Sequence, residues 1–216
     1  MGDAAPTPGP GPTREKLLRS GLQLARRGGL RALTVRGVAA RAHVNLGSFV
    51  YHFGNRDAFV AELIERWYAP LLAQLEVTAH AAAAPRERLR RLVLQVADWV
   101  VANSAFLSQL VMDASAGERA AQRFLRSLGA RHPALVLQAI RDAQRAGELR
   151  AEDPLHVLLF VVSALGVPVL LAQGLGRRGM LPPEFARALR SLASDRAQIE
   201  RRLDWVLRGL APEEAR

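Results

Sequence analysis

The chain of 216 residues contains no cysteine, and only one of its 30 basic residues is lysine. Without cysteine it can form no disulfide framework, no thiolate metal site and no cysteine nucleophile. Aromatic residues are also scarce, at 6% of the sequence. No segment alternates apolar and polar residues in the way that half-buried strands do, so an all-α fold is predicted.

The common signatures of enzymes are missing as well. We find no glycine-rich phosphate loop, nucleophile elbow or pair of carboxylates at a catalytic spacing. Glu152 and His156 have the i, i+4 spacing of a partial metal site, but no third ligand follows at a matching interval. The sequence therefore predicts a protein that is not an enzyme and that uses neither a metal nor a cofactor.

Positive charge is concentrated in the N-terminal part of the chain. Residues 1–60 hold nine Lys or Arg against three acids, an excess of six that makes up more than half of the formal net charge of +10. Cations gathered in one region release counterions from DNA and steer association with it. A GC-rich genome would explain the preference for arginine over lysine, but it would not explain this local excess.

The segment Thr34–Asp57 reads TVRGVAARAHVNLGSFVYHFGNRD and predicts two short helices joined by a turn. Thr34 is a favourable N-cap. Behind it, one apolar face at i, i+3, i+4 and i+7 indicates a two-turn helix, formed by Val35, Val38, Ala39 and Ala42. His43 then falls in the turn, where we expect a positive φ that histidine tolerates better than most side chains.

A second helix is predicted to run from Leu46 to about His52, with Asn45 as its N-cap. Phe49 and Phe53 are four residues apart and are expected to face the core. The residues left near the outer face include donors to phosphate oxygens or base edges: Leu46, Gly47, Ser48, Tyr51 and His52. Asn55 is expected to cap the next helix, with Arg56 at its positive N-terminus as a phosphate clamp.

From about Thr13 to Ile64 the sequence resembles the DNA-binding domain of the TetR/AcrR transcriptional regulators. The resemblance is carried by the spacing of four features: the V-A-A-R-A run, the V-N pair, Gly47 and the Y-H-F trio. The resemblance implies an all-helical homodimer in which three N-terminal helices bind DNA. A larger C-terminal bundle would bind a small effector and form the dimer. The predicted DNA-binding residues are Thr34, Val35, Arg36, Asn45, Leu46, Gly47, Ser48, Tyr51, His52, Asn55 and Arg56.

Three positions depart from the family pattern. His43 replaces a usual glycine, Gly37 stands where an acid often completes a capping box, and Val50 replaces a tyrosine that often touches phosphate. The departures at His43 and Val50 are the only support for an alternative, in which the chain is a helical ligand-binding or scaffolding protein with a vestigial DNA-binding head.

The predicted organisation is a disordered tail over 1–12, a helix-turn-helix domain over 13–58 with its motif at about 34–53, and an effector-binding and dimerisation domain over 59–211. About nine to ten helices are expected. Pro70 should kink a long helix that begins at Arg56. Asn103–Ser104 should end a helix that starts at Pro85, with a short helix from Ala105 to Met112 after it. Residues 174–183 are predicted to be a loop.

The run Leu155–Ala172 contains no Asp, Glu, Lys or Arg, and it is near the lower length limit for a membrane span. It also contains His156, Ser163, Gly166 and Pro168, and no second span follows. Because a helix that is apolar all round also suits a subunit interface, burial in a dimer is favoured over a membrane. The predicted interface residues are Val157, Phe160, Ala164 and Leu171 with Ile199, Leu203, Val206 and Leu210.

By the same resemblance, an effector cavity is expected among the helices between Asp57 and Leu171. The residues predicted to line it are Trp67, Trp99, Asn103, Phe106, Gln109, Met112, Phe124, His132 and Phe160, although each is also a normal core residue. The effector itself is expected to be small and mainly apolar. Together these features predict a cytoplasmic homodimer that binds a near-palindromic operator as a ligand-responsive repressor.

Overall fold

The computed structural model describes residues 11–177 and 180–212. Within these ranges the chain forms ten α-helices and one short 3-10 helix, Leu128–Ala130, in agreement with the predicted all-α fold. The α-helices are α1 (Pro12–Gly28), α2 (Val35–Ala42), α3 (Leu46–Phe53), α4 (Arg56–Ala79), α5 (Pro85–Ser115), α6 (Arg119–Ser127), α7 (His132–Arg145), α8 (Pro154–Arg177), α9 (Pro183–Ser194) and α10 (Arg196–Gly209).

The chain divides into two compact units. The head unit comprises residues 1–67 and 109–124, and the body unit comprises residues 68–108 and 125–216. The helices α4 and α5 therefore each contribute residues to both units. This division differs from the predicted boundary at residue 58, because the first half of α4, the end of α5 and residues 119–124 of α6 group with the N-terminal helices.

The head unit is built around a cluster of three phenylalanine rings. Phe59 lies with its ring centroid 5.0 Å from that of Phe49 and 4.9 Å from that of Phe53. Phe49 and Phe53 are both buried, which confirms the predicted inner face of α3. A Cβ at Gly21 of α1 would lie 2.4 Å from Phe59 Cζ and 2.7 Å from Leu63 Cδ1, so only glycine lets α1 approach α4 this closely.

Ion pairs also connect α1 and α4. Arg14 Nη2 lies 2.6 Å from Glu62 Oε2, and Arg66 Nη2 lies 2.8 Å from Glu15 Oε2. All four side chains are at least a quarter exposed, so these pairs contribute at most modestly to stability. One of them, Arg14, is among the nine basic residues counted in residues 1–60.

The body unit is organised around α8, which packs against α7, α9 and α10. The inward face of α8 includes Val157, Val161, Leu165 and Val169. Asp195 separates α9 from α10 and caps α10, because its side chain accepts a hydrogen bond from the backbone N–H of Gln198 at 3.1 Å. α5 begins at Pro85, as predicted, and α8 begins at Pro154.

Three predicted boundaries were wrong. α5 continues through Asn103 and Ser104, because their side chains donate to the carbonyls of Trp99 and Val101 and are satisfied within the helix. α8 extends to Arg177, past the predicted start of the loop at residue 174, since each helical glycine costs only about 1 kcal/mol. Pro12 belongs to α1, where a first-turn proline needs no N–H partner. The rest of the predicted tail, residues 1–10, lies outside the described residues, and α4 runs through Pro70 as one helix.

Candidate nucleic-acid interface

Hydrogen bonds from side chains fix the start of both short helices. The Thr34 hydroxyl accepts from the backbone N–H of Gly37 at 3.0 Å, and the Asn45 side chain accepts from that of Ser48 at 2.7 Å. Both predicted N-caps are thereby confirmed. Each cap satisfies an amide that the helix itself leaves without a partner, which stabilises a helix of only eight residues.

The turn between the two helices passes through His43. Its φ is 53° and its ψ is 45°, so the predicted positive φ is confirmed, and it is the one non-glycine residue with that sign of φ in the described ranges. The backbone N–H of Val44 donates to the carbonyl of Ala39 at 3.1 Å and closes the end of α2. This left-handed residue reverses the chain direction and brings α3 across α2.

α3 separates its two faces completely. Phe49 and Phe53 point into the head unit, whereas Tyr51 is 85% exposed. Leu46, Gly47 and Val50 are exposed beside it, and Ser48 and His52 are half-buried. The ring of Tyr51 lies edge-on to that of His52, with centroids 5.1 Å apart. An exposed helix that presents hydroxyl and imidazole groups has the shape and chemistry to enter the major groove of DNA.

The other predicted DNA-binding residues surround this face. On α2, Thr34 and Arg36 are exposed and Val35 is half-buried. Asn45 is exposed at the start of α3. Asn55 is exposed and caps α4, because its side chain accepts from the N–H of Ala58 at 2.9 Å. The predicted cap is confirmed.

Arg56 requires a correction. The sequence suggested a phosphate clamp, but its guanidinium is directed into the head unit. Nε donates to the carbonyl of Leu33 at 2.7 Å, and Nη2 donates to the carbonyl of Leu30 at 2.7 Å and to Glu118 Oε2 at 2.8 Å. Position at a helix N-terminus was not sufficient to predict its role, because internal acceptors compete with solvent and phosphate for the same donors.

The sequence profile of bacterial regulatory proteins of the tetR family matches residues 17–63, which include the whole helix-turn-helix and its caps. Residues 17–63 therefore form a TetR-family DNA-binding domain. No curated protein sequence matches this chain, so the remaining comparisons are with solved structures.

Three structures illustrate the likeness over the full length. A structure described as a TetR-family transcriptional regulator from Rhodococcus sp. is 23% identical, with a TM-score of 0.66 over 90% of this chain and 98% of that one. The SmeT–triclosan complex is 22% identical, with a TM-score of 0.64 over 93% and 92%. A transcriptional regulator from Saccharomonospora viridis in complex with choline is 16% identical, with a TM-score of 0.62 over 84% and 95%. These likenesses show that the body unit also has the fold seen in such regulators.

The body unit contains an apolar cavity of about 290 Å³. α5, α7 and α8 line it, and among its described lining residues His132 is the one ionisable side chain. The others are Val93, Val96, Ala97, Val100, Leu107, Pro133, Val136, Leu158, Leu159, Val161, Val162, Leu165, Gly166, Val167 and Leu170. A cavity with this lining accommodates an apolar ligand.

Of the nine residues predicted for the effector site, His132 lines this cavity. Trp67, Gln109, Met112 and Phe124 lie in the head unit, and Trp99, Asn103, Phe106 and Phe160 lie in the body unit without lining the cavity. Trp67 packs against Phe124, with ring centroids 6.3 Å apart. For these eight residues an effector role stays a prediction. The aliphatic lining residues were not predicted from the sequence, because valine and leucine at helical spacing are equally typical of any hydrophobic core.

The predicted dimer residues divide into two groups. Phe160 and Leu171 are about half exposed, and Ala164 is partly exposed. In contrast, Val157, Ile199, Leu203, Val206 and Leu210 are at most 8% exposed within the single chain. Their selection as interface residues was wrong, because the apolar stripe of α10 packs inside its own subunit. Trp205 of α10 is 57% exposed and lies off that stripe.

Six large apolar side chains are exposed on α8, and we call them its exposed apolar face. They are Leu155, Leu159, Phe160, Val162, Val167 and Leu171, each between 41% and 56% exposed, and Leu159, Val162 and Val167 among them also line the cavity. Within the described ranges, residues 154–172 are also the one stretch that is long and apolar enough to cross a membrane, and 28% of it is buried. By length and composition alone this stretch fits either a membrane span or an interface, and single spans of this kind are weak evidence for a membrane.

Proposed function

We propose that the protein is a homodimeric, cytoplasmic transcriptional repressor that leaves its operator when a small apolar ligand binds the body unit. The observation that carries this proposal is the exposed outer face of α3, held between two side-chain caps and a left-handed turn. Such a rigid, outward-facing helix is needed for sequence readout in the major groove.

The exposed apolar face of α8 supports the homodimer. Six large apolar side chains on one helix are unusual on the surface of a monomer, and contiguous patches of this kind mark interaction sites. A two-fold contact between two copies of α8 buries the same patch on both subunits. It also places two copies of α3 in a symmetric arrangement, which accounts for a near-palindromic operator.

The site of Ser48 on α3 indicates how one base is read. Its hydroxyl donates to Asn45 Oδ1 at 2.9 Å, so its oxygen lone pairs remain available as acceptors. In the major groove the donors are the amino groups of cytosine and adenine. We therefore propose that Ser48 selects a cytosine or an adenine in each half-site.

Ser48→Ala is expected to relax the base preference at one position in each half-site. Loss of this acceptor removes discrimination of roughly 1–3 kcal/mol, while the backbone cap at residue 48 is retained. Selection of duplexes from a random pool by the variant and the wild type measures the change. Tyr51→Phe is the matched control: it should weaken all duplexes alike, because a contact to phosphate carries no sequence information. An equal loss for Ser48→Ala on every sequence would refute the assignment.

The cavity in the body unit supports an uncharged, mainly aliphatic ligand with one hydrogen-bond acceptor. Burial lowers the pKa of His132 to about 4, so the imidazole is neutral near pH 7. The Tyr68 oxygen lies 2.9 Å from His132 Nδ1 and accepts the His132 backbone N–H at 3.3 Å. If the tyrosine hydroxyl donates to Nδ1, the imidazole proton is on Nε2 and is available to an acceptor of the ligand.

The comparison structures support a small-molecule effector in general terms, since they hold triclosan in one case and choline in another. A cation such as choline is disfavoured here, because neither a carboxylate nor a Phe, Tyr or Trp ring is among the described residues that line the cavity. A ligand of the uncharged type is therefore favoured for this chain.

The lowered pKa of His132 predicts a pH dependence of stability. Between pH 6.5 and 4 the unfolded chain binds a proton at this residue and the folded chain does not, so stability falls as the pH drops through that window. His132→Gln should remove on the order of 2 kcal/mol of this fall. Urea unfolding at pH 7 and pH 5 measures it. His80→Gln, at an exposed histidine, is the control variant.

Release of DNA follows if the ligand favours a conformation in which the two copies of α3 no longer match successive major grooves. A preference of a few kcal/mol for that conformation is sufficient to shift the population. A gel shift tests the function directly, using full-length protein at low ionic strength and duplexes from around its own gene. Binding to at least one duplex is expected, and no binding to any of them would contradict the proposal.

A further inference from the structure

The segment that joins α1 to α2, residues 29–34, is held by a buried carboxylate of α5. Asp113 Oδ2 accepts a hydrogen bond from the backbone N–H of Leu30 at 2.6 Å, and Asp113 Oδ1 accepts one from Gln109 Nε2 at 3.0 Å. Asp113 is only 4% exposed. Burial of a carboxylate costs free energy unless hydrogen bonds compensate for it, and the two hydrogen bonds to Asp113 provide this compensation.

Arg56 of α4 holds the same segment from a second direction. Its guanidinium donates to the carbonyls of Leu30 and Leu33 and to Glu118, the residue that precedes α6. Glu118 is 6% exposed. Asp57, the acid next to Arg56 in the sequence, is farther from the guanidinium, with its Oδ1 3.8 Å from Arg56 Nη1. The Arg56 side chain therefore links the α1–α2 segment to the start of α6, through charge-assisted hydrogen bonds.

The backbone of the segment is adapted to this close approach. Gly29 has a φ of +81°, a conformation that other residues rarely adopt. A Cβ at Gly29 would lie 2.7 Å from Gln109 Nε2 and 2.9 Å from Asp113 Oδ2. Glycine is thus required at Gly29 both for the left-handed turn and for the contact with α5.

We propose that Arg56, Asp113 and Glu118 form a clamp that positions α2 and α3 for DNA, and that Arg56 acts through this clamp and not on a phosphate. α2 begins at Val35, two residues after the clamped carbonyl of Leu33, so the clamp fixes the start of the helix-turn-helix. The inference rests on the proposed DNA-binding function. A pre-set helix pair avoids the ordering cost that a loose one would incur on binding.

The clamp and a phosphate contact predict opposite effects for one substitution. Glu118→Gln removes a negative charge from the head unit, so it would strengthen DNA binding or leave it unchanged if Arg56 bound phosphate. If Arg56 positions the segment through Glu118, the same substitution weakens binding, because the charge-assisted bond is lost. The sign of this effect distinguishes the two roles.

The experiment uses full-length protein and a duplex that the wild type selects from a random pool. Affinity is measured as a function of salt for Arg56→Met, Glu118→Gln and the double variant. We expect each single variant to bind roughly tenfold more weakly with an unchanged salt slope. The double variant should bind no more weakly than Arg56→Met. Arg36→Met, at an exposed arginine of α2, is the control and should reduce the salt slope by about 1.

Unchanged or tighter binding by Glu118→Gln would overturn the clamp, as would a salt slope that falls by about 1 in Arg56→Met. If Arg56→Met does not fold, amide hydrogen exchange of residues 29–37 in Glu118→Gln decides: faster exchange than in the wild type supports the clamp, and equal protection overturns it. Failure of the wild type to select any duplex would instead contradict the DNA-binding function, so the two failures are distinguishable.

Discussion

A variant carrying both Phe160→Glu and Leu171→Glu is expected to sediment as a monomer at micromolar concentration and to bind its operator roughly 100-fold more weakly or worse. Both side chains belong to the exposed apolar face of α8 and are 49% and 47% exposed. In a two-fold contact each substitution enters the interface twice, so four uncompensated carboxylates would be buried together.

The loss of affinity follows from the loss of bivalency. When two heads are joined, the second half-site is bound at a high effective concentration, and a separated head no longer has this advantage. Because the head unit is unchanged, each monomer should retain weak, salt-dependent binding to single half-sites.

Val77→Glu is the matched control for this variant, since Val77 is 75% exposed on α4 and lies outside the apolar face of α8. It should sediment and bind as the wild type does. If the double variant remains dimeric, or if the wild type is monomeric at micromolar concentration, the α8 interface is not the one used.

Phe59→Ala is expected to lower the free energy of unfolding by about 3–5 kcal/mol and to abolish specific DNA binding. Phe59 is 1% exposed, and its ring contacts both inner phenylalanines of α3 at about 5 Å. Truncation would leave a cavity beside Gly21, which has no side chain to fill it. Urea unfolding measures the loss, and amide exchange in α3 locates it.

The matched control is Phe185→Ala, because Phe185 is 57% exposed on α9. The same chemical change there should alter stability by no more than about 0.5 kcal/mol. Comparable losses in both variants would mean that the phenylalanine cluster is not what holds the head unit together.

The helix-turn-helix was predictable because its determinants are local. Thr34 and Asn45 cap within three residues of themselves, and His43 turns the chain through its own φ. The i, i+4 spacing of Phe49 and Phe53 fixes which side of α3 faces the core. Each of these effects acts over one or two helical turns, so it can be predicted from the local sequence without knowledge of the fold.

The roles of Arg56, Asp113 and Glu118 were not predictable in this way. Arg56 and Glu118 are 62 residues apart, and Leu30 and Asp113 are 83 apart. One signal was available: Asp113 is an acid in an otherwise apolar turn of α5, which is a position where a buried partner is required. The identity of that partner, a backbone N–H after α1, could come only from the packing of the head unit.

The apolar residues of α8 and α10 show the same limit. The apolar composition of α8 predicted that all sides of this helix would be buried, and the structure leaves one side of it exposed. For α10 the sequence could not decide between a partner subunit and its own chain, since both bury an identical stripe of Ile199, Leu203 and Val206.

By itself, then, the sequence determined the helical class, the caps and turn of the DNA-binding motif, and the family of the DNA-binding domain, because these depend on residues close together along the chain. Only the tertiary structure decided which apolar faces are buried within the subunit, where the cavity lies beside His132, and that Arg56 is directed to Glu118. The hydrophobic effect does not specify which surface covers an apolar face, and a charged group pairs with any opposite charge that the fold places near it. The partners of apolar and charged groups are therefore decided by packing between residues that are distant in sequence.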